Sequence, residues 1–214
     1  MHKLSKLSLI LLGLLLFTYL PASAQDASPD DAAATMDEAM MQKWMASMTP
    51  GEHHQWLSAF AGNWKSETKS YWDPKGEPEV STGTSTCEMV LGGRFLKFES
   101  TQPIPSMNMT MDGIGFLGYD NDKKAYTLFW IDNMGTTMYT ATGQREGNVL
   151  TYIGKMDDYM TGEMNKSVKY VYDFLTANSY TFKIYDNAGT PKEYLMMEEN
   201  VTRILDNKIK SVEE

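Results

Sequence analysis

The sequence predicts a mainly β protein: an antiparallel up-and-down barrel of about ten short strands, preceded by short N-terminal helices. Three observations carry that prediction. From Gly62 onward, polar and apolar residues alternate with period two, the spacing of half-buried strands. Nine turn signals interrupt the alternation between residues 62 and 205. A meander of that many strands leaves unpaired edges unless it closes on itself. A two-sheet sandwich is the alternative arrangement of the same pattern.

Residues 1–24 read as a secretory signal. Lys3 and Lys6 supply the positive start, Leu7 to Leu20 an apolar stretch, and Ala22-Ser23-Ala24 a small-residue cleavage site ahead of Gln25. The stretch falls short of the ~20 residues a stable span needs, and Pro21 closes it. The expected destination is the periplasm or the exterior, as a soluble chain. Gln25, not a cysteine, stands directly after the cleavage point, so a lipid anchor is not expected there.

Residues 25–50 form an acidic, Met-rich lead-in. Gln25 to Thr35 is rich in Ala, Asp, Ser and Pro and reads as a flexible tether. Met36, Met40, Trp44 and Met48 then recur every four residues, a helical stripe that Pro50-Gly51 ends. A second short helix over Glu52 to Phe60 groups His53, Trp56, Leu57 and Phe60 on one side, and Gly62 stops it.

The barrel domain is expected over 51–205, with 206–214 as a C-terminal tail. In its first strand Trp64, Ser66, Thr68, Ser70 and Trp72 alternate with Lys65, Glu67, Lys69 and Tyr71. The charges belong in water, so the tryptophan and hydroxyl set faces inward. By the same logic Leu96, Phe98 and Ser100 oppose Lys97 and Glu99. Val168, Tyr170, Tyr172 and Phe174 oppose Lys169 and Asp173, and Tyr180, Phe182 and Ile184 oppose Lys183.

The turn signals are Pro74-Lys75-Gly76, Gly92-Gly93, Pro103 to Pro105, Asn121-Asp122, Asn133-Met134-Gly135, Glu146-Gly147-Asn148, Thr161-Gly162, Ala177-Asn178 and Asn187-Ala188-Gly189. Gly92-Gly93 can supply the positive φ values of a tight hairpin.

Charge and composition exclude several classes of function. The chain of 214 residues carries 19 Lys+Arg against 28 Asp+Glu, and loss of the two leader lysines takes its formal charge from −9 to −11. Nucleic acid and anionic membrane faces want clustered cations and are not expected partners. One cysteine, Cys87, rules out an internal disulfide framework and a Cys-based zinc cluster, and its strand position suggests a buried, inert thiol. No histidine occurs after residue 54, which removes the base of a nucleophilic triad and the axial ligand of a haem in the barrel. His53 and His54 are adjacent in a helix and point about 100° apart, so a surface pair is expected rather than a chelate. No cofactor is expected.

Gly113-x-Gly115-x-x-Gly118 satisfies the dinucleotide fingerprint literally, yet a turn and another strand follow where a helix N-terminus is required. Glycines 113 and 115 fall on one strand face and relieve crowding there. Methionine is abundant, at 17 residues. Met107, Met109 and Met111 would share a strand face, and thioethers suit Cu(I). The preferred reading is that Met fills irregular core volume as a flexible hydrophobe.

Gly62-Asn63-Trp64, opening the first strand after a short helix, resembles the Gly-x-Trp signature of lipocalin-like (calycin) barrels. That resemblance implies that Trp64 plugs the closed end and that an Arg of the last strand, here Arg203, lies across its indole. Four further blocks resemble the DUF1579 family of bacterial domains. They are Leu91-Gly92-Gly93-Arg94-Phe95, Gly113 to Asp120, Trp130 to Thr136, and Met197-Glu198 with Thr202-Arg203. The resemblance implies a calycin-like barrel with no assigned chemistry and no catalytic residues.

The expected function is binding of a small apolar or amphipathic molecule in an aromatic-lined lumen. Trp64, Trp72, Arg94, Phe98, Trp130, Tyr170, Tyr172 and Arg203 are the candidate ligand residues; strand parity places Arg94 inside with Leu96 and Phe98, while its position directly after Gly92-Gly93 equally suits a rim residue in water. The alternatives are a hydrolase or isomerase using inward carboxylates, for which Asp132 and Glu199 are candidates, and a Met-based copper-binding protein. A filled core without a cavity is the further possibility.

Overall fold

The computed structural model describes residues 37–158 and 161–205. The expected signal, the tether with Met36, and the C-terminal tail lie outside the described residues. Two helices, α1 (Glu38–Met48) and α2 (Glu52–Ser58), precede ten strands. These are β1 (Gly62–Ser70), β2 (Glu79–Val90), β3 (Phe95–Ile104), β4 (Met109–Asp120), β5 (Ala125–Asp132), β6 (Tyr139–Glu146), β7 (Val149–Asp158), β8 (Glu163–Thr176), β9 (Ser179–Asp186) and β10 (Tyr194–Arg203). A 3-10 turn, Pro105–Met107, joins β3 to β4.

Every strand pairs antiparallel with its neighbours in sequence, and β1 pairs with β10 to close the barrel. Closure leaves no edge and rules out the sandwich. The expected alternation holds along β1, where Trp64, Ser66 and Thr68 are buried and Lys65, Glu67 and Lys69 are not. On β3 the outward Lys97 pairs with Glu99 at 2.7 Å, while Leu96 is buried. In the β2–β3 turn Leu91, Gly92 and Gly93 all take positive φ, at 52°, 66° and 80°.

The end at which β1 begins and β10 finishes is plugged by α2. Leu57 and Phe60 are buried there with Trp64. The Trp64 indole N–H donates to the Phe60 carbonyl at 2.8 Å, and the Arg203 guanidinium lies 4.1 Å from the indole centre. Arg203 also donates to the carbonyls of Ala59, Ala61 and Ala177, tying the end of α2 to the β8–β9 turn. On the outer side of α2, the Trp56 ring meets Phe174 edge-on at 5.2 Å and receives the Arg145 guanidinium at 4.7 Å.

Two expectations about the lead-in need correction. His53 and His54 are not a surface pair. His54 is buried and its Nδ1 accepts the Gly51 N–H at 3.1 Å, while His53 stacks on Tyr119 at 3.8 Å and bonds the Tyr126 hydroxyl at 2.9 Å. They pack α2 onto β4 and β5. The methionines of α1 do not fill core: the helix has no buried residue, and Met40, Met41, Met45 and Met48 are exposed with Trp44. The helix is held by its carbonyl end instead. Asn121 donates to the carbonyls of Ala46, Ser47 and Thr49, and Arg94 to that of Met48.

Candidate functional site

Above the α2 plug the lumen is not filled. A cavity of about 280 Å³ lies between the floor residue Phe60 and residues nearer the opposite end, among them Met111, Asp132, Tyr139 and Met156. Two aromatic walls face each other across it, on strands half a turn of the barrel apart. On one side Phe98 (β3) and Trp130 (β5) stack at 5.4 Å, with planes 20° apart. On the other, Tyr172 (β8) and Phe182 (β9) stack at 4.4 Å, and Tyr170 lies parallel to Phe182 at 6.5 Å.

The glycines of β4 make the first wall possible. Gly115 is in register with Phe98 and Trp130, and Gly113 with Ser100 and Asp132. A Cβ at Gly113 would fall inside the Trp130 ring, and one at Gly115 inside the Phe98 ring. The literal dinucleotide fingerprint is therefore a pair of slots for indole and phenyl rings, and all three of its glycines lie within one strand.

Two carboxyls line the cavity, and their circumstances differ. Asp132 is bonded at both oxygens: Oδ2 accepts the Trp130 indole N–H at 2.7 Å, and Oδ1 accepts the Met134 N–H at 2.9 Å. It orients the indole and fastens the β5–β6 turn. Glu199, on β10 between Thr68 and Phe182 in register, has one hydrogen-bond partner among the described residues. The Thr68 hydroxyl donates to its Oε1 at 3.3 Å. Desolvation by the surrounding wall pushes this carboxyl up to about 7, against the opposing pull of Thr68. Burial likewise pushes the Cys87 thiol and the Tyr170 hydroxyl up to about 12, and holds Tyr172 and Tyr180 well above the usual phenol range.

Of the residues singled out from sequence, Phe98, Trp130, Tyr170 and Tyr172 meet at the cavity. Trp64 and Arg203 form the latch at the plugged end instead, as the Gly-x-Trp resemblance implies. Trp72 and Arg94 do not point inward. β1 ends at Ser70, so alternation lapses before Trp72, which is 57% exposed and donates to Glu79 at 2.9 Å. Arg94 precedes β3 in the turn of three positive-φ residues, where strand parity does not apply, and it caps the end of α1.

Phe60, Tyr180, Phe182 and Glu199 also line the cavity. The alternation already turned Tyr180 and Phe182 inward, and Glu199 was visible only as an inward acid. Met107, Met109 and Met111 do not share a strand face. Asn108 between the first two is left-handed at φ 49°, Met107 and Met109 are exposed, and only Met111 reaches the cavity.

The fold has a structural counterpart. The crystal structure of Rv2717c from M. tuberculosis is similar to this chain at a TM-score of 0.51, covering 73% of this chain and 100% of that one. The two sequences are 15% identical, so the likeness concerns the fold alone. No curated protein matches the chain. The family model DUF1579, described as a protein of unknown function, matches residues 49–203 from the end of the lead-in to Arg203, and the chain belongs to that family.

Proposed function

We propose that the protein is exported behind a signal cleaved after Ala24 and binds a small, largely apolar or amphipathic molecule in the barrel lumen. The cavity walled by two stacked aromatic pairs carries this reading. Planar rings present apolar area at low entropic cost, and a few polar groups among them fix orientation. The charge pattern of the leader and its small-residue cleavage site support export. Of the two carboxyls a hydrolase would need, Asp132 has both oxygens committed to structural bonds, which favours binding over hydrolysis.

Native mass spectrometry of protein purified from its own host tests both parts. The expected species begins at Gln25 and carries added mass that Trp130→Arg, placed to obstruct the lumen, no longer retains. A bare wild-type chain whose tryptophan fluorescence ignores naphthalene-sized probes refutes lumen binding. A chain still beginning at Met1 refutes cleavage.

A further inference from the structure

We infer, resting on the lumen-binding reading, that the ligand is a small organic amine whose apolar body lies between the two aromatic walls and whose nitrogen meets Glu199. The argument starts from the charge inventory of the cavity. Among the described residues that line it there is no lysine, arginine or histidine. Its titratable groups besides Glu199 are Cys87 from β2, Asp132 from β5, Tyr139 from β6, Tyr170 and Tyr172 from β8, and Tyr180 from β9. None of these groups can carry a positive charge. A ligand carboxylate or phosphate would therefore enter a water-poor space beside Glu199 with no cation to receive it, an arrangement that costs several kcal/mol per buried ion.

An ammonium group meets the opposite situation. Glu199 keeps oxygen capacity that no described residue uses, since Thr68 is its single hydrogen-bond partner among the described residues. A protonated amine supplies the missing donors as charge-assisted bonds. Phe182, in register with Glu199, and Tyr172, close enough to interact with its charge, put aromatic π systems near the carboxyl, and a ring's π face attracts a cation more than a neutral group of the same shape. Asp132 already carries one bond on each oxygen, from Trp130 and Met134, whereas one oxygen of Glu199 has no bond from a described residue, which makes Glu199 the better acceptor for the nitrogen.

Proton linkage follows from the same geometry. Burial holds the Glu199 carboxyl up to about 7, so capture of an ammonium below that pH expels one proton into solvent. Amine affinity then rises about tenfold per pH unit on approaching 7 from below.

Three isosteric probes test the inference on the full mature chain, by calorimetry and Trp130 fluorescence: 1-naphthylmethylamine, 1-naphthylmethanol and 1-naphthoic acid. The amine is expected to bind at least about tenfold more tightly than the alcohol, and the acid more weakly than either. Glu199→Gln closes the gap between amine and alcohol. In wild type, amine affinity climbs between pH 5 and 7 while alcohol affinity stays level, a readout that needs no variant. An alcohol or acid that equals the amine, a preference that survives Glu199→Gln, or a flat pH profile overturns the amine inference and leaves lumen binding standing. Failure of all three probes to bind a folded chain overturns both.

Discussion

The Arg203 guanidinium lies 4.1 Å from the centre of the Trp64 indole, across the register pair that joins the first strand to the last. The same guanidinium collects the carbonyls of Ala59, Ala61 and Ala177. One side chain therefore holds the plug helix, the barrel junction and a turn. Arg203→Ala is expected to lower unfolding free energy by about 2–4 kcal/mol in urea titrations. Arg203→Lys should recover only part of that loss, because a point charge cannot bridge three acceptors and stack at once. Equal stability of all three chains would show that the latch contributes nothing.

Glu199 makes stability depend on pH with a definite sign. Its carboxyl is near 7 in the folded chain and near 4.5 when unfolded. Between those values the folded state binds more protons, so stability is full below about pH 4.5, falls as pH rises, and levels off above about 7. The loss amounts to at most ~3 kcal/mol. Glu199→Gln should raise Tm at pH 8 relative to wild type and change it little at pH 4.5. A wild-type Tm independent of this pH window would refute the burial argument.

Tyr152 is wholly buried on β7, and its hydroxyl has no hydrogen-bond partner among the described residues. Removing an unsatisfied buried group sheds its desolvation penalty while the ring keeps its edge contact with Tyr172 at 6.2 Å. Tyr152→Phe is expected to leave stability unchanged or raise it by up to ~1 kcal/mol. A clear loss in thermal unfolding would mean that the hydroxyl is bonded after all.

The β4 slots can be filled one methyl at a time. Gly115→Ala puts a Cβ where Phe98 now lies, so the ring must leave its place against Trp130 or the strand must shift. The expected cost is about 1–3 kcal/mol, with a change in Trp130 emission that reports the broken stack. Gly147→Ala, at a turn where no neighbour crowds the new methyl, pays only for its positive φ of 58°.

Cys87 sits in the lumen with its thiol pushed up to about 12. Thiolate is the reactive form, so native protein at pH 8 should resist iodoacetamide and react stoichiometrically once unfolded in urea. Rapid labelling of the native chain, followed by intact mass, would contradict the burial.

The wall strands were legible in the sequence because charge and aromaticity alternate there without interruption. Lys97 and Glu99 against Phe98, and Lys169 against Tyr170 and Tyr172, leave one choice of face. Trp72 and Arg94 lie outside the lumen for a shared reason: period two does not carry past the end of β1 or ahead of the start of β3, and Arg94 takes the rim position that its place after Gly92-Gly93 allows. Closure is legible from the problem of unpaired edges and from the Gly-x-Trp resemblance, but not from periodicity, since the pairing of Trp64 with Arg203 joins residues far apart in sequence. The cavity and the isolation of Glu199 were not legible. They depend on which rings fill the lumen and which oxygens find partners, and spacing along the chain encodes neither. The exposed stripe of α1 shows the same limit, because helical periodicity identifies an apolar face without saying whether anything covers it.

The meander also bears on how the cylinder forms and opens. Nine of its ten pairings join successive strands, so each can zip as a local hairpin, in any order. The β1–β10 seam alone must wait for the whole chain and bears the largest loop-closure entropy. It is therefore the line along which the wall should unzip first under thermal or mechanical stress. Splicing the two edges of that seam and cutting the chain at the Gly147 turn would move the weak line to β6 and β7, yielding a circular permutant with the same ring and a different first point of failure.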